Sequence, residues 1–389
     1  MVNNLNHMDC PLRVAFNGVP LLSPLTGIGQ YSKSLLQSLD ARSDVKALKF
    51  YGKSWSDQIR TPDLSATSTS LKPLIRKFFP YAYEVNRQLQ QWCFSSGLQS
   101  IKPDIYHEPN FLAYRFDGPS VITVHDLSWV RYPEMHPIGR VRAINKYFEP
   151  GLRRASRIIT DSVFVKQELI EVFGIRPEII HPVLLGVDGL FVPRAPSETV
   201  SVLKELSLSH GQYLLTVGTL EPRKNLQLAL KAYASLPSIL RERFPLVLVG
   251  MKGWHTADLE RRLAPMVASG QVRQLGYLSR EDLAVVMAGA TGMVYPSVYE
   301  GFGLPPLESM SCGVPVIASN ASSIPEVVGD TAILIDPADV TGLAQCMIRF
   351  MEDEELRANL ASKALARSKT FTWARCADET VAVYRAAKA

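Results

Sequence analysis

Short apolar runs alternate with longer helical patterns along the whole chain. The first half contains the runs LRVAFNG, ALKFYG, DIYHEP, SVITVHD and RIITDS, and the second half contains YLLTVGT, PLVLVG, VRQLGY, GMVYPS, PVIAS and AILID. These runs lack the polar alternation of half-exposed strands, which is typical of parallel strands buried on both faces. The pattern therefore predicts an α/β fold with doubly wound parallel sheets.

The length of the chain, 389 residues, favours two domains because it exceeds the usual size of one hydrophobic core. Glycine and proline interrupt the pattern in VDGLFVPRAPSETV, residues 187–200, and we expect a hinge there. We predict a first domain over residues 1–190 and a second over residues 191–370. Ligands of open α/β sheets bind beyond the carboxyl ends of the strands, so two facing domains predict a ligand-binding cleft between them.

The composition argues against several classes of protein. Hydrophobic residues form 47% of the chain and charged residues 20%, which is ordinary for a folded soluble protein. No run reaches the roughly 18 apolar residues of a membrane span, and the N-terminus lacks the pattern of a signal peptide. Five cysteines without paired spacing argue against a disulfide framework and a structural zinc site. We therefore expect a cytoplasmic protein.

A glycine-rich turn with two acids lies in PSVYEGFGLPPLESMSC, residues 296–312. GMVYPS predicts a strand and LPPLESMSC a short helix, whose first turn accepts the two prolines. Such a turn presents unpaired backbone N–H groups that suit a phosphate. Carboxylates are repelled by phosphate, so we predict that Glu300 and Glu308 bind sugar hydroxyls, one on a ribose and one on a transferred sugar. The alternative is a solvated Glu300 and a Glu308 that merely favours the helix start.

A second loop carries adjacent cations. TVGTLEPRKNL, residues 216–226, predicts a strand that ends at Gly218, followed by Arg223 and Lys224. Two cations at the end of a strand can neutralise a diphosphate without a metal ion, whereas the alternative is a basic surface. The sequence contains no DxD pair at a strand end, no HExxH motif and no His/Cys ligand spacing. We therefore expect no metal and no other cofactor.

In the first half, His125 and Asp126 follow the buried run SVITV. A lone histidine is often structural, and Asp126 could orient its ring or cap the next segment. Gly27 and Gly29 follow the first strand in SPLTGIGQYSKSL, but their spacing does not match the dinucleotide fingerprint GxGxxG. Ser162 is predicted to be the N-cap of the following helix.

The string EGFGLPPLE resembles the E-x7-E motif of retaining glycosyltransferases of family 4, which have the GT-B fold of two Rossmann-like domains facing each other across a cleft. The resemblance implies that Glu300 contacts the donor sugar and Glu308 the ribose. The further donor-binding residues that it implies are Gly218, Arg223, Lys224, Gly276, Tyr277, Leu278, Gly301, Phe302, Gly303 and Leu304. Many family members place an arginine directly after the glycine, where this chain has Thr219.

The resemblance also assigns roles to the three parts of the chain. It implies that residues 1–190 bind the acceptor, that residues 191–370 bind the nucleotide sugar, and that a helix over residues 371–389 crosses back to the first domain. Gly27, Gly29 and Asp126 would lie on the acceptor side. The implied catalytic residues are His125, Glu300, Arg223 and Lys224, with a phosphate oxygen as proton acceptor and His125 as the one side chain to consider as a base.

Within the family, VGTLEPRKN together with HDLSW resembles bacterial mannosyl- and rhamnosyltransferases of O-antigen and exopolysaccharide assembly. We therefore predict a retaining, metal-independent transferase that moves mannose or a related GDP-hexose to a glycan or a polyprenyl-diphosphate-linked glycan. The alternatives are a GT-B sugar-nucleotide epimerase and a non-catalytic subunit that binds a nucleotide sugar.

Two stretches mix basic and aromatic residues: LKPLIRKFFPYAYEVNRQLQQW, residues 71–92, and GRVRAINKYFEPGLRRASR, residues 139–157. Such basic amphipathic helices can lie on an anionic membrane, here the inner face of the cytoplasmic membrane, although a solvated basic face explains the same residues. The net charge of +5 is too small to indicate nucleic acid as a partner. The polar run SATSTS near residue 65 is predicted to be a surface loop.

Overall fold

The computed structural model describes residues 10–23, 25–61 and 82–389, and these residues form two β-sheets, one in each half of the chain. The loop predicted near residue 65 and the first part of the basic stretch 71–92 lie outside the described residues.

The first sheet is parallel except at one edge. Its strands are β1 Leu12–Asn17, β2 Val45–Phe50, β3 Trp55–Ser56, β4 Ile105–Glu108, β5 Ser120–Val124, β6 Arg157–Thr160 and β7 Ile180–Pro182. Their order across the sheet is β3-β2-β1-β4-β5-β6-β7, and β3 pairs with β2 in the antiparallel sense. The order reverses between β1 and β4, so the loops after these strands diverge and leave a crevice at the carboxyl edge.

The second sheet repeats this plan with parallel pairs throughout. Its strands are β8 Leu214–Val217, β9 Leu246–Val249, β10 Val272–Gly276, β11 Gly292–Tyr295, β12 Val316–Ser319 and β13 Ile333–Ile335. The order is β10-β9-β8-β11-β12-β13. Because β8 and β11 are neighbours at the reversal point, the loop with the two cations lies beside the loop with Glu300.

Helices cover both faces of each sheet. In the described residues the α-helices are α1 Gly27–Asp40, α2 Ala82–Ile101, α3 Ser128–Arg131, α4 Ile138–Arg154, α5 Val163–Phe173, α6 Pro196–Glu205, α7 Leu226–Ala234, α8 Ser238–Arg243, α9 Ala257–Ala268, α10 Arg280–Ala288, α11 Leu304–Ser311, α12 Ile324–Val328, α13 Val340–Glu352, α14 Glu354–Ser368 and α15 Trp373–Lys388.

The predicted α/β class is confirmed, and each of the apolar runs identified in the sequence forms a strand. The sequence pattern missed β3 and β7. Both are short edge strands: β3 has two residues, and β7 contains a histidine and a proline. Edge strands need neither a long apolar run nor an unbroken row of N–H donors, so they leave a weak signal in the sequence.

The chain crosses twice between the two sheets, and the crossings pack against each other. Residues 183–195 connect β7 to α6, and α15 returns to pack on α1 and on the first sheet. Gly186 lies against the backbone of Trp373, where a Cβ would approach the amide nitrogen to 2.2 Å. Further along α15, Tyr384 and His107 are hydrogen-bonded at 2.6 Å in the core. The last helix is thus part of the first domain's core.

Candidate active site

A cavity of about 590 Å³ lies between the carboxyl ends of the two sheets. Both halves of the chain contribute to its walls. The sequence-predicted residues that line it are Gly27, His125, Asp126, Gly218, Arg223, Lys224, Tyr277, Leu278, Glu300, Gly301, Phe302, Gly303, Leu304 and Glu308. Topology therefore brings together residues that lie up to about 280 positions apart in the sequence.

Two of the predicted glycines lie outside the cavity lining. Gly29 is buried inside α1, where a Cβ would meet the side chain of Leu25 at 3.0 Å, so it packs beneath the loop. Gly276 ends β10 with φ of 70°, and its carbonyl accepts a hydrogen bond from Gly250 N at 2.8 Å. Its neighbours Tyr277 and Leu278 reach the cavity. Both glycines shape backbone segments behind the wall.

The EGFGL loop, residues 300–304, connects β11 to α11. Gly301 lies against the first domain, and a Cβ there would come within 1.7 Å of the carbonyl oxygen of His125. A larger residue at this position would therefore push the two domains apart. Gly303 has φ of 118°, which lies in the range that favours glycine. The predicted short helix then begins at Leu304.

Glu300 is buried, and its carboxylate bridges two cations. Oε2 accepts a hydrogen bond from Arg223 Nη1 and Oε1 accepts one from Lys224 Nζ, both at 2.7 Å, and the hydroxyl of Tyr295 donates to Oε1 at 2.8 Å. Burial opposes ionisation, but the charges of Arg223 and Lys224 outweigh it and lower the pKa of Glu300 to about 2. The carboxylate is therefore ionised at neutral pH and accepts hydrogen bonds.

The two cations are fixed on the cavity wall. Their side chains are only 14% and 13% exposed, so the alternative of a solvated basic surface does not hold. Arg223 also donates to Glu221 Oε1 at 2.7 Å and to the carbonyl of Tyr299 at 2.8 Å. A planar guanidinium held at three points has a defined orientation, which suits recognition of phosphate oxygens.

Glu308 forms a second acid–base pair on the same wall. Its Oε1 accepts a hydrogen bond from Arg280 Nη1 at 2.7 Å, and both residues line the cavity. Burial raises the pKa of Glu308, and the charge of Arg280 opposes this rise. The sequence reasoning missed Arg280. The signal was present, because Arg280 is the first residue of α10 after the N-cap Ser279, where a cation opposes the helix dipole.

His125 forms the centre of the opposite wall. Its Nδ1 is 2.7 Å from Asp161 Oδ2, and its Nε2 is 2.8 Å from the carbonyl oxygen of Pro109. Burial lowers the pKa of His125, but Asp161 outweighs this effect and raises it. Of the two roles considered for Asp126, the structure shows the cap: its Oδ1 accepts from both the backbone N and the hydroxyl of Ser128.

With this geometry established, comparison with known proteins identifies the family. A model described as Glycosyltransferase Family 4 matches residues 26–189, and one described as Glycosyl transferases group 1 matches residues 204–367. The O-antigen chain mannosyltransferase B of Escherichia coli is 38% identical over 381 residues, which cover 96% of this chain and 100% of that protein. The chain belongs to glycosyltransferase family 4.

Solved structures agree on the architecture. WaaG, a glycosyltransferase involved in lipopolysaccharide biosynthesis, matches with a TM-score of 0.71 at 16% identity, over 94% of this chain and 98% of that one. Anabaena Alr3699/HepE, solved in complex with UDP and glucose, matches with a TM-score of 0.67 at 19% identity, over 95% of this chain and 98% of that one. These likenesses concern the fold alone, and the predicted GT-B fold is confirmed.

The predicted enzyme class is also confirmed: the protein is a glycosyltransferase. Neither alternative, the epimerase or the non-catalytic subunit, is favoured by these relatives. Among residues 10–23, 25–61 and 82–389, no cluster of three or more His, Cys, Asp or Glu side chains could hold a metal ion. No helix in the same ranges is both long and apolar enough to cross a bilayer.

The sequence reasoning missed further residues of the glycosyltransferase cleft. Tyr295 ends β11 and bonds both Glu300 and Lys224. Trp254 donates its indole N–H to the carbonyl of Met135 at 2.7 Å and so bridges the two domains at the cavity wall. Neither residue belongs to a recognisable motif. The position of Tyr295 at a strand end is the only sequence signal that could have identified it.

Proposed function

We propose that this glycosyltransferase transfers a mannosyl group from GDP-mannose, with retention of anomeric configuration and without a metal ion, to a lipid-linked glycan in O-antigen biosynthesis. The observation that carries the transfer reaction is Glu300 bound between Arg223 and Lys224 on the cleft wall. The choice of mannose and of O-antigen follows the name of the 38% identical Escherichia coli relative. GDP as the carrier rests on the sequence resemblance.

The donor would lie along the charged wall of the second domain. Arg223 and Lys224 would bind the diphosphate, since cations held in a buried site stabilise the charge that develops as the nucleotide leaves. The ionised Glu300 would accept hydrogen bonds from hydroxyls of the mannosyl group. Glu308, held by Arg280, would bind the ribose diol. With two cations at the diphosphate, charge neutralisation needs no metal ion.

The transfer itself exchanges one bond to the anomeric carbon for another. The acceptor hydroxyl would approach the face that the diphosphate leaves, form the new bond to C1, and give its proton to the departing phosphate oxygen. His125 would act beside the reaction centre as an oriented polar group. Both of its ring nitrogens are already hydrogen-bonded, so a role as proton acceptor would require one of these bonds to open.

The acceptor would reach the cleft from an anionic membrane surface. On α2, Val85, Leu89 and Trp92 share one face and are 53%, 57% and 69% exposed. On α4, by contrast, Phe148 is buried, and the exposed basic residues Arg142, Lys146, Arg153 and Arg154 match the alternative of a solvated basic face. The apolar face of α2 together with the basic surface of α4 would suit phospholipid headgroups and a polyprenyl diphosphate.

The donor is tested first by thermal stabilisation with GDP, UDP, dTDP and ADP and their common sugars, with EDTA present. A ligand that binds only the folded protein raises Tm by mass action. We expect a shift with GDP and GDP-mannose, followed by turnover of GDP-mannose that EDTA leaves unchanged and a product with the α configuration of the donor by NMR. A shift confined to UDP or dTDP sugars would overturn the mannose assignment, and loss of turnover in EDTA would overturn metal independence.

Membrane contact is tested by sedimentation with phosphatidylglycerol vesicles, with phosphatidylcholine vesicles as the uncharged comparison. We expect binding to the anionic vesicles that Trp92→Ser weakens. The matched control is Ile239→Ser, which removes a residue that is 72% exposed on α8 of the second domain. Equal binding of both variants would contradict the proposed surface.

A further inference from the structure

A carboxylate of the second domain caps a helix of the first domain. The two oxygens of Glu326, on α12, accept hydrogen bonds from the backbone N–H groups of Val163 and Phe164 at 2.9 and 2.6 Å. The N-cap Ser162 accepts from Val165 N at 3.2 Å. The N–H groups at the start of α5 are thus satisfied partly from each domain, and a negative charge is favoured at this end of the helix dipole.

The segment that carries Glu326 also holds the EGFGL loop. Ser322 Oγ accepts from Glu300 N at 2.8 Å, and Ser323 Oγ is 2.9 Å from the carbonyl oxygens of both Glu300 and Phe302. At the other end of α12, Arg367 donates to the carbonyls of residues 326 and 327. Glu326 therefore projects from a braced segment that is in direct contact with the proposed donor loop.

In the first domain, the start of α5 is linked to His125 through the neighbouring residue Asp161. Asp161, which binds His125 Nδ1, immediately precedes Ser162. The hydroxyl of Ser162 donates to the carbonyl of Gly301 at 2.7 Å. A displacement of α5 relative to α12 would therefore move His125 away from the EGFGL loop.

We propose that Glu326 is a positioning residue of the transfer reaction: by capping α5 from the other domain, it holds the EGFGL loop in register with His125. It lies outside the cavity lining, so it acts through the relative placement of the two cleft walls. The residues assigned to the nucleotide all belong to the second domain. Loss of Glu326 should therefore impair transfer while nucleotide binding is retained.

The test compares Glu326→Ala with Asp353→Ala. Asp353 is the matched control because its carboxylate also caps a helix, accepting from Leu356 N at 2.8 Å, but entirely within the second domain. For Glu326→Ala we expect kcat to fall about tenfold, the Kd for the nucleotide diphosphate to stay within about twofold, and the radius of gyration in solution scattering to increase. Asp353→Ala should change none of the three. Glu326→Gln, which keeps one acceptor oxygen, should recover part of the loss.

The scattering measurement needs no substrate, so it tests the inference separately from the proposed donor. Failure of the wild-type enzyme to turn over GDP-mannose would contradict the proposed function, whereas an unchanged radius of gyration for Glu326→Ala would overturn the inference. Two kinetic results would also overturn it: an equal loss of kcat in Asp353→Ala, or a loss of nucleotide affinity as large as the loss of kcat. If Glu326→Ala folds poorly, Glu326→Gln provides the same comparison with a smaller expected change.

Discussion

The two walls of the cleft are built on the same sheet plan but from different chemistry. The wall of the second domain carries alternating acids and cations in direct contact: Glu300 with Arg223 and Lys224, and Glu308 with Arg280. On the wall of the first domain, half of the lining residues are glycine, aromatic or aliphatic, and the polar half is Thr26, Gln30, His125, Asp126, Arg140 and Asp161. In this wall the buried side chains of His125 and Asp161 are hydrogen-bonded to each other.

This difference separates two tasks of a transferase. Binding of a diphosphate is favoured by several cations that are already in position. Fixed carboxylates hold these cations, so the side chains need little rearrangement when the diphosphate binds. An acceptor hydroxyl carries no net charge, so in the proposed reaction the wall that binds it needs fewer ion pairs. The comparison implies that charge removal on the second wall should impair donor handling, whereas changes on the first wall should act on stability and domain placement.

The largest effect is expected for Glu300→Gln. The substitution keeps the shape of the side chain but removes the charge that Arg223 and Lys224 share, so turnover should fall by about 100-fold or more. Because Arg223 and Lys224 are buried, loss of the negative charge beside them should also lower the unfolding free energy by about 3 kcal/mol. Kinetics and urea denaturation measure both effects. Glu352→Gln, at an exposed helix end, is the control and should behave as wild type.

Lys224→Met should have the next largest effect, on donor affinity. It removes the ammonium of a side chain that is only 13% exposed, while keeping the length of that side chain. We expect the Kd for a nucleoside diphosphate to rise roughly 10- to 100-fold, with little change for the nucleoside, because only the phosphates lose a partner. Calorimetry with the two ligands gives the comparison. If Lys231→Met, on the exposed face of α7, weakened binding equally, the assignment of Lys224 to the diphosphate would be wrong.

Two buried glutamates, one beneath the first wall and one on the second, should give the unfolding free energy opposite dependences on pH. Burial raises the pKa of Glu108, below the first wall, to about 8, whereas the cations lower that of Glu300 to about 2, against a usual value of 4.5 for both. Between pH 4.5 and 8, Glu108 is therefore protonated in the folded protein but ionised in the unfolded chain. The unfolding free energy falls as pH rises over that range. Between pH 2 and 4.5, Glu300 is ionised in the folded protein but protonated in the unfolded chain. The unfolding free energy therefore falls as pH drops from 4.5 to 2.

Urea denaturation across pH checks this contrast with one variant for each wall. Glu108→Gln should flatten the decline between pH 4.5 and 8, and Glu300→Gln should flatten the decline below pH 4.5. The decline that depends on Glu108 should amount to about 5 kcal/mol and the one that depends on Glu300 to about 3 kcal/mol. Identical pH profiles for wild type and Glu108→Gln would show that Glu108 is ionised in the folded protein at neutral pH.

The smallest effect is expected where the walls meet. Trp254→Phe keeps an aromatic ring beneath Arg140, which lies 5.1 Å from the tryptophan ring, but removes the hydrogen bond to Met135. A single hydrogen bond of this kind contributes about 1 kcal/mol, so kcat/KM should fall by no more than about fivefold. A loss as large as that of Lys224→Met would mean that Trp254 contacts substrate directly.

Much of the charged wall was predictable because its residues lie within two continuous motifs at strand ends. The parallel strands can be recognised in the sequence as apolar runs. Their order in the sheet places the loops that follow them at its carboxyl edge. Arg223, Lys224, Glu300 and Glu308 all follow from this reasoning. Arg280 was within reach of the same argument, since a cation in the first turn of a helix requires an explanation.

The first wall was less predictable because its contacts join distant segments through the backbone. Asp161 binds His125 across two neighbouring strands, and the other partner is the carbonyl of Pro109, which has no side-chain signature. The requirement for glycine at position 301 is another case. The sequence suggests room for a phosphate, but the structure shows the carbonyl of His125 pressed against that glycine.

The sequence by itself determined the class of fold, the division into two parallel sheets and the loops that carry the charged wall, because periodicity and strand-end motifs are local properties of a chain. Only the tertiary structure decided which charges neutralise each other, which aspartate holds His125, and that Glu326 caps a helix of the other domain. The ion pairs and the bond between Asp161 and His125 depend on which strands are neighbours within one sheet, whereas the cap by Glu326 depends on where the two sheets face each other. Burial then sets their strength, because it removes water from both partners at once.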